Sequence, residues 1–202
     1  MHPQNTKAEL HRLLQDRNEH PEKIAEIDAQ IHAIFAETHA ILVLDMSGFS
    51  RLTIRHGIIH FLAMIHRLSA IATPLMEQQK GTVIKQEADN LFAVFPTVEF
   101  AVSAAVDVLK SLAAVNSGLP DAMDLYASIG IGYGEVLLVA GKDLYGNEMN
   151  LASKLGEDLA RSNEILLTES AFQQLQSTWT CEAIELSVSG LELTAYQVQF
   201  PK

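Results

Sequence analysis

Cysteine and basic side chains are scarce in this sequence, and both shortages exclude classes of protein. The 202-residue chain has one cysteine, Cys181, so it cannot form an internal disulfide and has the composition of a protein kept in a reducing compartment. It has 14 lysine and arginine residues against 25 acidic ones, for a formal net charge of −11. A surface this acidic repels a phosphate backbone. We therefore expect a cytoplasmic protein with no nucleic-acid partner.

Long apolar runs are also missing. The sequence has no continuous stretch of eighteen apolar residues and no secretory signal, so we expect no membrane span in this chain. Hydrophobic residues nevertheless make up 48% of it, which suits one domain of about 150–170 residues plus an extension. We place the extension at residues 1–38, as a helical segment, and the main domain at 39–202.

A polar segment between two apolar runs predicts a β-hairpin over residues 83–95. Val83-Ile84 precedes the polar segment and Leu91 to Phe95 follows it; apolar β-formers on both sides of turn-prone residues are typical of a hairpin. Lys85 and Asp89 would then lie near its tip, where they could position a metal ion or a phosphate. For this stretch alone, an ordinary charged turn is the alternative.

Residues 6–37 predict two helices, over about 6–18 and 21–37, the second with Pro21 in its first turn. The second helix has isoleucines at heptad spacing: Ile24, Ile27, Ile31 and Ile34. This stripe either packs on the helix's own domain or forms a short parallel coiled coil with a second chain. Fewer than two heptads leave both possibilities open.

Apolar periodicity and turn residues predict the remaining elements. Strands are expected at about 40–44, 126–132, 135–140, 165–168, 180–188 and 192–200, with Gly134 as the turn between the second and third. Helices are expected at about 50–55, 57–79, 97–115, 149–160 and 170–176. With the hairpin, the order β-α-α-β-β-α-β indicates a ferredoxin-like α/β sandwich, in which a mixed sheet carries helices mainly on one face.

Asp45 stands where a buried strand meets a helix. A carboxylate there can bind a hard cation, while the backbone amides of Ser47, Gly48 and Phe49 could face a phosphate. Helix capping by an aspartate is the alternative. If Asp89 lies on the neighbouring strand, the two carboxylates could hold two cations about 3.5–4 Å apart, the arrangement that serves phosphoryl and nucleotidyl transfer.

Four segments together resemble the catalytic domain of class III nucleotidyl cyclases, over about residues 40–200. Asp45-Met-Ser-Gly-Phe-Ser50 resembles the family's first metal motif, and Lys85-Gln-Glu-Ala-Asp89 its lysine and second-metal hairpin. Gly130-Ile-Gly-Tyr-Gly134 resembles the strand and turn that follow, and the segment from Asp143 to Lys154 resembles the one that reads the base and steadies the transition state. Each motif is weak alone, but all four in the family's order make a strong signal.

The resemblance implies a set of ligands. Two Mg²⁺ or Mn²⁺ ions per site would be bound by Asp45, by Asp89 and by the Met46 carbonyl. Three further residues, Gly48, Phe49 and Ser50, would contact the nucleotide. Asn150 would orient the ribose, and Lys154 would stand where the family usually has the transition-state arginine.

Lys85 and Asp143 would read the base, and their polarity favours ATP over GTP. A lysine can donate to adenine N1, and an aspartate can accept from the N6 amine. For guanine both polarities are reversed, a mismatch that costs several kcal/mol in a dry pocket. In this family the site forms between two chains, so the resemblance also implies a homodimer with two equivalent sites.

Three departures from the family pattern stand out. Lys154 replaces arginine, which keeps the charge but loses the bidentate fork. Ala88 stands where glycine usually precedes the metal aspartate, and alanine disfavours a turn that needs a positive φ. Ser189 occupies the place where many members have a lysine for the triphosphate, with Lys80 or Arg51 as possible substitutes.

The expected function is therefore a homodimeric adenylate cyclase that converts ATP to 3′,5′-cyclic AMP and pyrophosphate and serves as the output domain of a signalling system. The alternative is a weakly active or inactive cyclase-homology module that binds nucleotide or a partner, which the replacements at Lys154 and Ser189 favour. A diguanylate cyclase is a weaker possibility, because its Gly-Gly-Asp-Glu-Phe signature is absent.

Overall fold

A computed structural model describes residues 4–47, 57–118, 120, 123–176, 179–188 and 191–200 of the chain. Within those residues one mixed sheet of eight strands forms the centre of the fold, in the order β2-β3-β1-β4-β6-β8-β7, with β5 paired to β4. The strands are β1 Ala36–Met46, β2 Thr82–Glu87, β3 Asn90–Phe95, β4 Ala127–Val139, β5 Asp143–Tyr145, β6 Ile165–Leu167, β7 Thr180–Val188 and β8 Leu191–Gln199. Only the β4–β6 pairing is parallel among these strands.

Six α-helices are described: α1 Lys7–Glu19, α2 Ile24–Phe35, α3 Ile58–Gln78, α4 Val98–Asn116, α5 Asn147–Ser153 and α6 Glu169–Gln174. A 3₁₀ turn, Pro21–Lys23, precedes α2, and a π-helical segment, Lys154–Leu159, continues α5. Three of the helices begin at a threonine whose hydroxyl oxygen accepts an amide hydrogen bond: Thr6, Thr97 and Thr168. Such caps satisfy a donor that the first helical turn leaves unpaired.

The central strand β1 is buried on both faces, and its side chains alternate between two cores. Leu42 and Leu44 belong to the larger core, which lies beneath α3, α4 and α6. Ile41 and Val43 belong to a smaller core on the opposite face, with Ala152 of α5. The ferredoxin-like sandwich expected from the sequence is confirmed, with most helices on one face and α5 on the other.

Most predicted elements agree with the structure. The hairpin over 83–95 is confirmed as β2 and β3, the helix expected at 57–79 is α3, and the two C-terminal strands are β7 and β8. The helix expected at 149–160 is α5 with its π-helical continuation. The helix expected at 50–55 lies outside the described residues.

The predicted turn at Gly134 is wrong. β4 runs without interruption for 13 residues, from Ala127 to Val139, and its return strand is β5, after a turn at Ala140 and Gly141. Glycine at every second position of a strand puts all three on one face, which is a signal of close backbone approach rather than of a turn.

The glycines of β4 create the surface on which α5 lies. A Cβ on Gly130 would collide with the carbonyl oxygen of Ala152, and one on Gly132 would lie 2.7 Å from the carbonyl oxygen of Glu148. Gly156, in the π-helical segment, has equally little room: a Cβ there would lie 2.9 Å from the Gly130 nitrogen. The helical segment therefore packs directly on the backbone of the strand.

The N-terminal helices fold back on their own chain. Ile27 and Ile31 of α2 are buried against Leu10 and Leu13 of α1, in a cluster that also contains Val139 of β4. The isoleucine stripe thus packs within the chain, which favours the first of the two interpretations offered above. The proposed division at residue 38 stays a prediction.

α3 is long and apolar enough to cross a membrane, by length and composition alone, and no other helix in the described part of the chain passes this test. Six of its residues, including Phe61, Leu68 and Met76, are buried in the larger core. Because a core helix passes the same test, the finding is weak support for a span.

Substituting Gly130 by alanine tests the packing of α5 on β4. The added methyl group must displace the Ala152 carbonyl, so we expect the free energy of unfolding to fall by about 1–3 kcal/mol. Gly118→Ala is the matched control, because a Cβ there meets no atom closer than 3.8 Å. Chemical denaturation measures both. Equal stability of the two variants would contradict the packing described.

Candidate active site

Asp45 and Asp89 lie close together at one end of the sheet. Asp45 is the penultimate residue of β1, and the β1–β3 register pairs the preceding residue, Leu44, with Leu91. Asp89 is in the two-residue turn that joins β2 to β3. The sheet register therefore brings together the two carboxylates that the sequence predicts as metal ligands.

Negative charge accumulates around Asp45. The pKa of its carboxyl is raised to about 7, first by burial and then by the charges of Asp89, Glu157 and Asp158. The pKa of Glu157 is raised as well, mainly by burial and by the charge of Asp158. Lys154 Nζ lies 3.8 Å from Asp158. A divalent cation at this end of the sheet would offset the remaining excess of negative charge.

The donors at this end suit a hard cation such as Mg²⁺ or Mn²⁺. Nucleotide-associated Mg²⁺ is typically held by one or two carboxylates plus substrate phosphates, and Asp45 and Asp89 supply the carboxylates. The side-chain oxygen of Asn90 is buried and has no hydrogen-bond partner within the described residues. Among the described residues, no group of three or more His, Cys, Asp or Glu side chains is arranged so that it could hold a metal ion. Ligation by the Met46 carbonyl, at the last residue of β1, stays a prediction.

Ala88, at the tip of the hairpin, has a φ of 50°. The left-handed conformation costs an L-residue about 1–2 kcal/mol, a cost that glycine avoids. The tip therefore keeps a positive-φ turn of the kind that favours glycine, although the sequence has alanine there.

Lys85 and Asp143 form an ion pair across the sheet. Lys85 Nζ lies 2.8 Å from Asp143 Oδ1 and 2.9 Å from Glu87 Oε1, and its side chain is 17% exposed. Burial lowers the pKa of this lysine, but its hydrogen bonds to the two carboxylates more than compensate, and the net pKa is raised. The ammonium group is therefore held in its charged form, which can only donate hydrogen bonds.

Asp143 is held as an acceptor by three donors. Oδ1 accepts from Lys85 and from the Leu144 amide at 3.0 Å, and Oδ2 accepts from the Tyr145 hydroxyl at 2.7 Å. Burial raises the pKa of this carboxyl, but the hydrogen bonds outweigh burial and lower it overall. Sequence reasoning missed Tyr145, although the alternation of side chains along a strand places it on the same face as Asp143.

Asn150 and Lys154 lie on the helical segment that packs on β4. Asn150 is exposed in the middle of α5, and the amide of Lys154 donates to its carbonyl, so the two side chains share a face one helical turn apart. Lys154 lines a cavity of about 370 Å³, together with Glu148, Thr168 and Ser170. Sequence reasoning gave Glu148 no role, although it lies inside the motif.

The segment that the sequence analysis expects to face a phosphate is described only at its start. The Ser47 amide donates to the Tyr126 carbonyl at 2.9 Å, so the expectation that it faces a phosphate is wrong. Gly48, Phe49 and Ser50, assigned to nucleotide binding, lie outside the described residues, as does Ser189.

Lys80 stays a predicted source of charge for the triphosphate. It precedes β2 at the end opposite Asp89, and a strand of this length separates the two by about 20 Å. Its ammonium lies 4.5 Å from the ring centroid of Phe100. Arg51, the other substitute considered, lies outside the described residues.

Comparison with known protein families agrees with this geometry. The chain matches the adenylate and guanylate cyclase catalytic domain over residues 33–199. It belongs to this family, the class III nucleotidyl cyclases, whose members use divalent metals.

Individual relatives include both adenylyl and guanylyl cyclases. "Putative adenylate cyclase 3" of Rhizobium meliloti (strain 1021) is 28% identical over 130 residues, which are 64% of this chain and 22% of that protein. The chain thus spans about a fifth of that relative. The adenylyl cyclase CyaB from P. aeruginosa superposes with a TM-score of 0.69 at 20% identity, over 83% of this chain and 97% of that one. The guanylate cyclase domain of RhGC from Catenaria anguillulae, solved with GTP, superposes with a TM-score of 0.68 at 17% identity, over 82% of this chain and 98% of that one. At these identities the structures show a shared fold.

The raised pKa of Asp45 predicts a pH-dependent effect of its substitution. A carboxyl whose pKa is higher in the folded than in the unfolded state disfavours folding increasingly as pH rises from about 4 to 7. In the absence of divalent metal, Asp45→Asn should therefore raise the free energy of unfolding at pH 8, by roughly 1–2 kcal/mol after discounting for solvent screening. At pH 4 the gain should vanish. Thermal unfolding with a chelator measures both.

The matched control is Asp16→Asn on α1, outside the acidic cluster, which should show no gain at pH 8. Adding Mg²⁺ or Mn²⁺ should stabilise the wild-type protein and have little effect on Asp45→Asn. A gain of the same size at pH 4 and pH 8 would show that the charge of Asp45 is not the cause.

Proposed function

We propose that this chain is an adenylate cyclase, which converts ATP to 3′,5′-cyclic AMP and pyrophosphate at sites shared by two copies of the chain. The observation that carries the proposal is the ion pair between Lys85 and Asp143, whose hydrogen-bonding polarity is fixed by its surroundings. We also propose a cytoplasmic location, as the composition favours.

The polarity of the pair suits adenine. Lys85 can only donate, and adenine N1 accepts; Asp143 can only accept, and the adenine N6 amine donates. Guanine presents the acceptor O6 and the donor N1–H instead, so Lys85 would face another donor and Asp143 another acceptor. The fold does not make this choice, because its structural relatives include the GTP-bound domain of Catenaria anguillulae.

The remaining site residues support the reaction itself. The ribose 3′ oxygen bonds to the α-phosphorus while the bond from that phosphorus to pyrophosphate breaks, the leaving group taking the electron pair and the hydroxyl proton passing to solvent. Two Mg²⁺ or Mn²⁺ ions, held by Asp45 and Asp89, would supply charge neutralisation and acidify the 3′-hydroxyl. Asn150 would orient the ribose, and Lys154 would place its charge beside the phosphate where negative charge develops.

Two copies of the chain would complete each site. Within the described residues, no hydrogen bond or ion pair joins the metal group, Asp45 and Asp89, to the base group, Lys85 and Asp143, so the two form separate clusters. Tyr145, whose hydroxyl donates to Asp143 of the base group, is exposed at 45%. A homodimer that places one chain's metal group against the other's base group would give two equivalent sites.

A cyclase-homology module with little turnover is the second candidate. Lys154 favours it, because a lysine lacks the bidentate fork of arginine and here has only a 3.8 Å ion pair to Asp158. The two metal carboxylates favour turnover, since a module that only binds a partner does not need them.

The purified chain, incubated with ATP or GTP and with Mg²⁺ or Mn²⁺, tests the proposal. We expect cyclic AMP as the main product, and we expect Asp45→Ala to abolish it. Asp143→Asn should lower the ATP-over-GTP ratio of kcat/KM by about 10–100-fold, because the amide presents a donor where the adenine amine needs an acceptor.

Tyr145→Phe is the matched control for the base group. It leaves the Asp143 carboxylate in place and removes one of its hydrogen bonds, so its effect on the ratio should be smaller. Cyclic GMP as the main wild-type product would contradict the adenine assignment. No product under any condition would favour the binding module.

A further inference from the structure

Glu148 connects three elements of the fold at one point. Its Oε2 accepts from the Thr168 hydroxyl at 2.7 Å and from the Tyr133 amide at 3.3 Å, and its Oε1 accepts from the Ser170 hydroxyl at 3.1 Å. Tyr133 belongs to β4, Thr168 caps α6 and Ser170 lies in its first turn. A residue of α5 is thereby tied both to the strand below it and to the next helix.

The glycines of β4 leave the Glu148 segment little freedom of position. A Cβ on Gly134 would lie 2.8 Å from Glu148 Cγ, and one on Gly132 would lie 3.1 Å from Glu148 Oε2. The side chain therefore occupies the space that two absent side chains leave. Its three hydrogen bonds are directional, so they fix the orientation of α5 on β4. Van der Waals packing alone would let the helix shift along the strand.

The direction of the Thr168 hydroxyl proton follows from this arrangement. Thr168 Oγ1 accepts from the Ala171 amide at 3.2 Å, so its proton is left to donate to Glu148. Thr168 is 6% exposed, and water is a poor substitute partner at this depth. Loss of the Glu148 carboxylate would leave a buried donor unpaired.

Lys154 depends on its helix for its position. It replaces an arginine whose planar fork would orient itself on a phosphate, whereas an ammonium group on a flexible stem has no preferred direction. Among the described residues, the one ion pair of its ammonium group is with Asp158, at 3.8 Å. Glu148 and Lys154 line the same cavity, one and a half helical turns apart, so a shift of α5 at Glu148 moves Lys154 too.

We infer that Glu148 is a positioning residue, which fixes α5 on β4 and α6 and so places Asn150 and Lys154 for the reaction. The inference rests on the proposed function. The carboxylate itself touches no reacting atom. It acts through its hydrogen bonds, which fix the position of α5, and not through its charge.

Glu148→Met and Glu148→Gln separate the hydrogen bonds from the charge. Methionine keeps the length and removes all three acceptor contacts, whereas glutamine keeps an acceptor for Thr168 and Tyr133 and offers a donor to Ser170. We expect the methionine variant to lose about tenfold or more in kcat for ATP with KM changed less than twofold, since small displacements of catalytic groups have large effects on rate. The glutamine variant should stay within about threefold of wild type.

Glu169→Met is the matched control, because Glu169 lines the same cavity but, among the described residues, its carboxylate accepts a hydrogen bond only from Gln173 on its own helix. It should leave kcat unchanged. In a Lys154→Ala background, Glu148→Met should cost less in kcat than it does in the wild-type background, because one of the two groups that Glu148 positions is gone. Amide hydrogen exchange over 147–153 should accelerate in Glu148→Met and not in Glu169→Met.

Several outcomes would overturn the inference. They are an unchanged kcat in Glu148→Met, an equal loss in the glutamine variant, or the same loss with and without Lys154. If Glu148→Met does not fold, Ser170→Ala removes one of the three contacts and should lower kcat about two- to fivefold; no loss there would also overturn the inference. A wild-type protein that makes no cyclic nucleotide would instead refute the proposed function, and this role with it.

Discussion

The backbone contact between β4 and α5 is the constraint on which the candidate site depends. Three glycines at alternate positions leave one face of β4 without side chains between Ser128 and Val136, so the helix lies directly on the strand there. The helix carries Asn150 and the segment after it carries Lys154, so their positions are set by that approach. On the other face of the same strand, Ile129 and Ile131 are buried in the larger core. One strand thus joins the hydrophobic core to the candidate chemistry.

Two electrostatic environments lie on this scaffold, and they suit different parts of a nucleotide. Lys85 and Asp143 neutralise each other, and neighbouring hydrogen-bond partners hold each in its charged form: carboxylate acceptors for Lys85 and N–H and O–H donors for Asp143. Such a pair recognises a neutral base by polarity. Around Asp45 the charges are instead mostly of one sign, and the pKa of its carboxyl is raised to about 7. That acidic group suits a metal-bound triphosphate, because the bound cations offset the negative charge of the carboxylates.

The sequence alone predicted those parts of the site that depend on local pattern. The hairpin over 83–95 and the strand that ends at Asp45 both follow from apolar runs bounded by turn residues. The pairing of Lys85 with Asp143 depended on the resemblance to a family, because no local pattern links residues 58 positions apart. The roles of the individual site residues stay predictions.

The error at Gly134, the alternative left open for α2 and the omission of Glu148 all arose where tertiary contact decides the structure. Gly134 was interpreted as a turn because glycine usually punctuates a strand, yet here the space above it is filled by Glu148. The isoleucines of α2 fit a coiled coil equally well until α1 is seen to cover them. Glu148 gave no signal because a glutamate on a helix is usually exposed, and its three donors come from other elements of the fold.

Complementation between two inactive variants tests the central claim most directly, namely that each site takes its metal group from one chain and its base group, with Asn150 and Lys154, from the other. Asp45→Ala and Asn150→Ala should each abolish cyclic AMP formation when expressed alone. Co-expressed in equal amounts, they should recover about a quarter of wild-type activity, because half of the dimers are mixed and each mixed dimer has one intact site of two. A co-expressed mixture no more active than either variant alone would contradict the shared site.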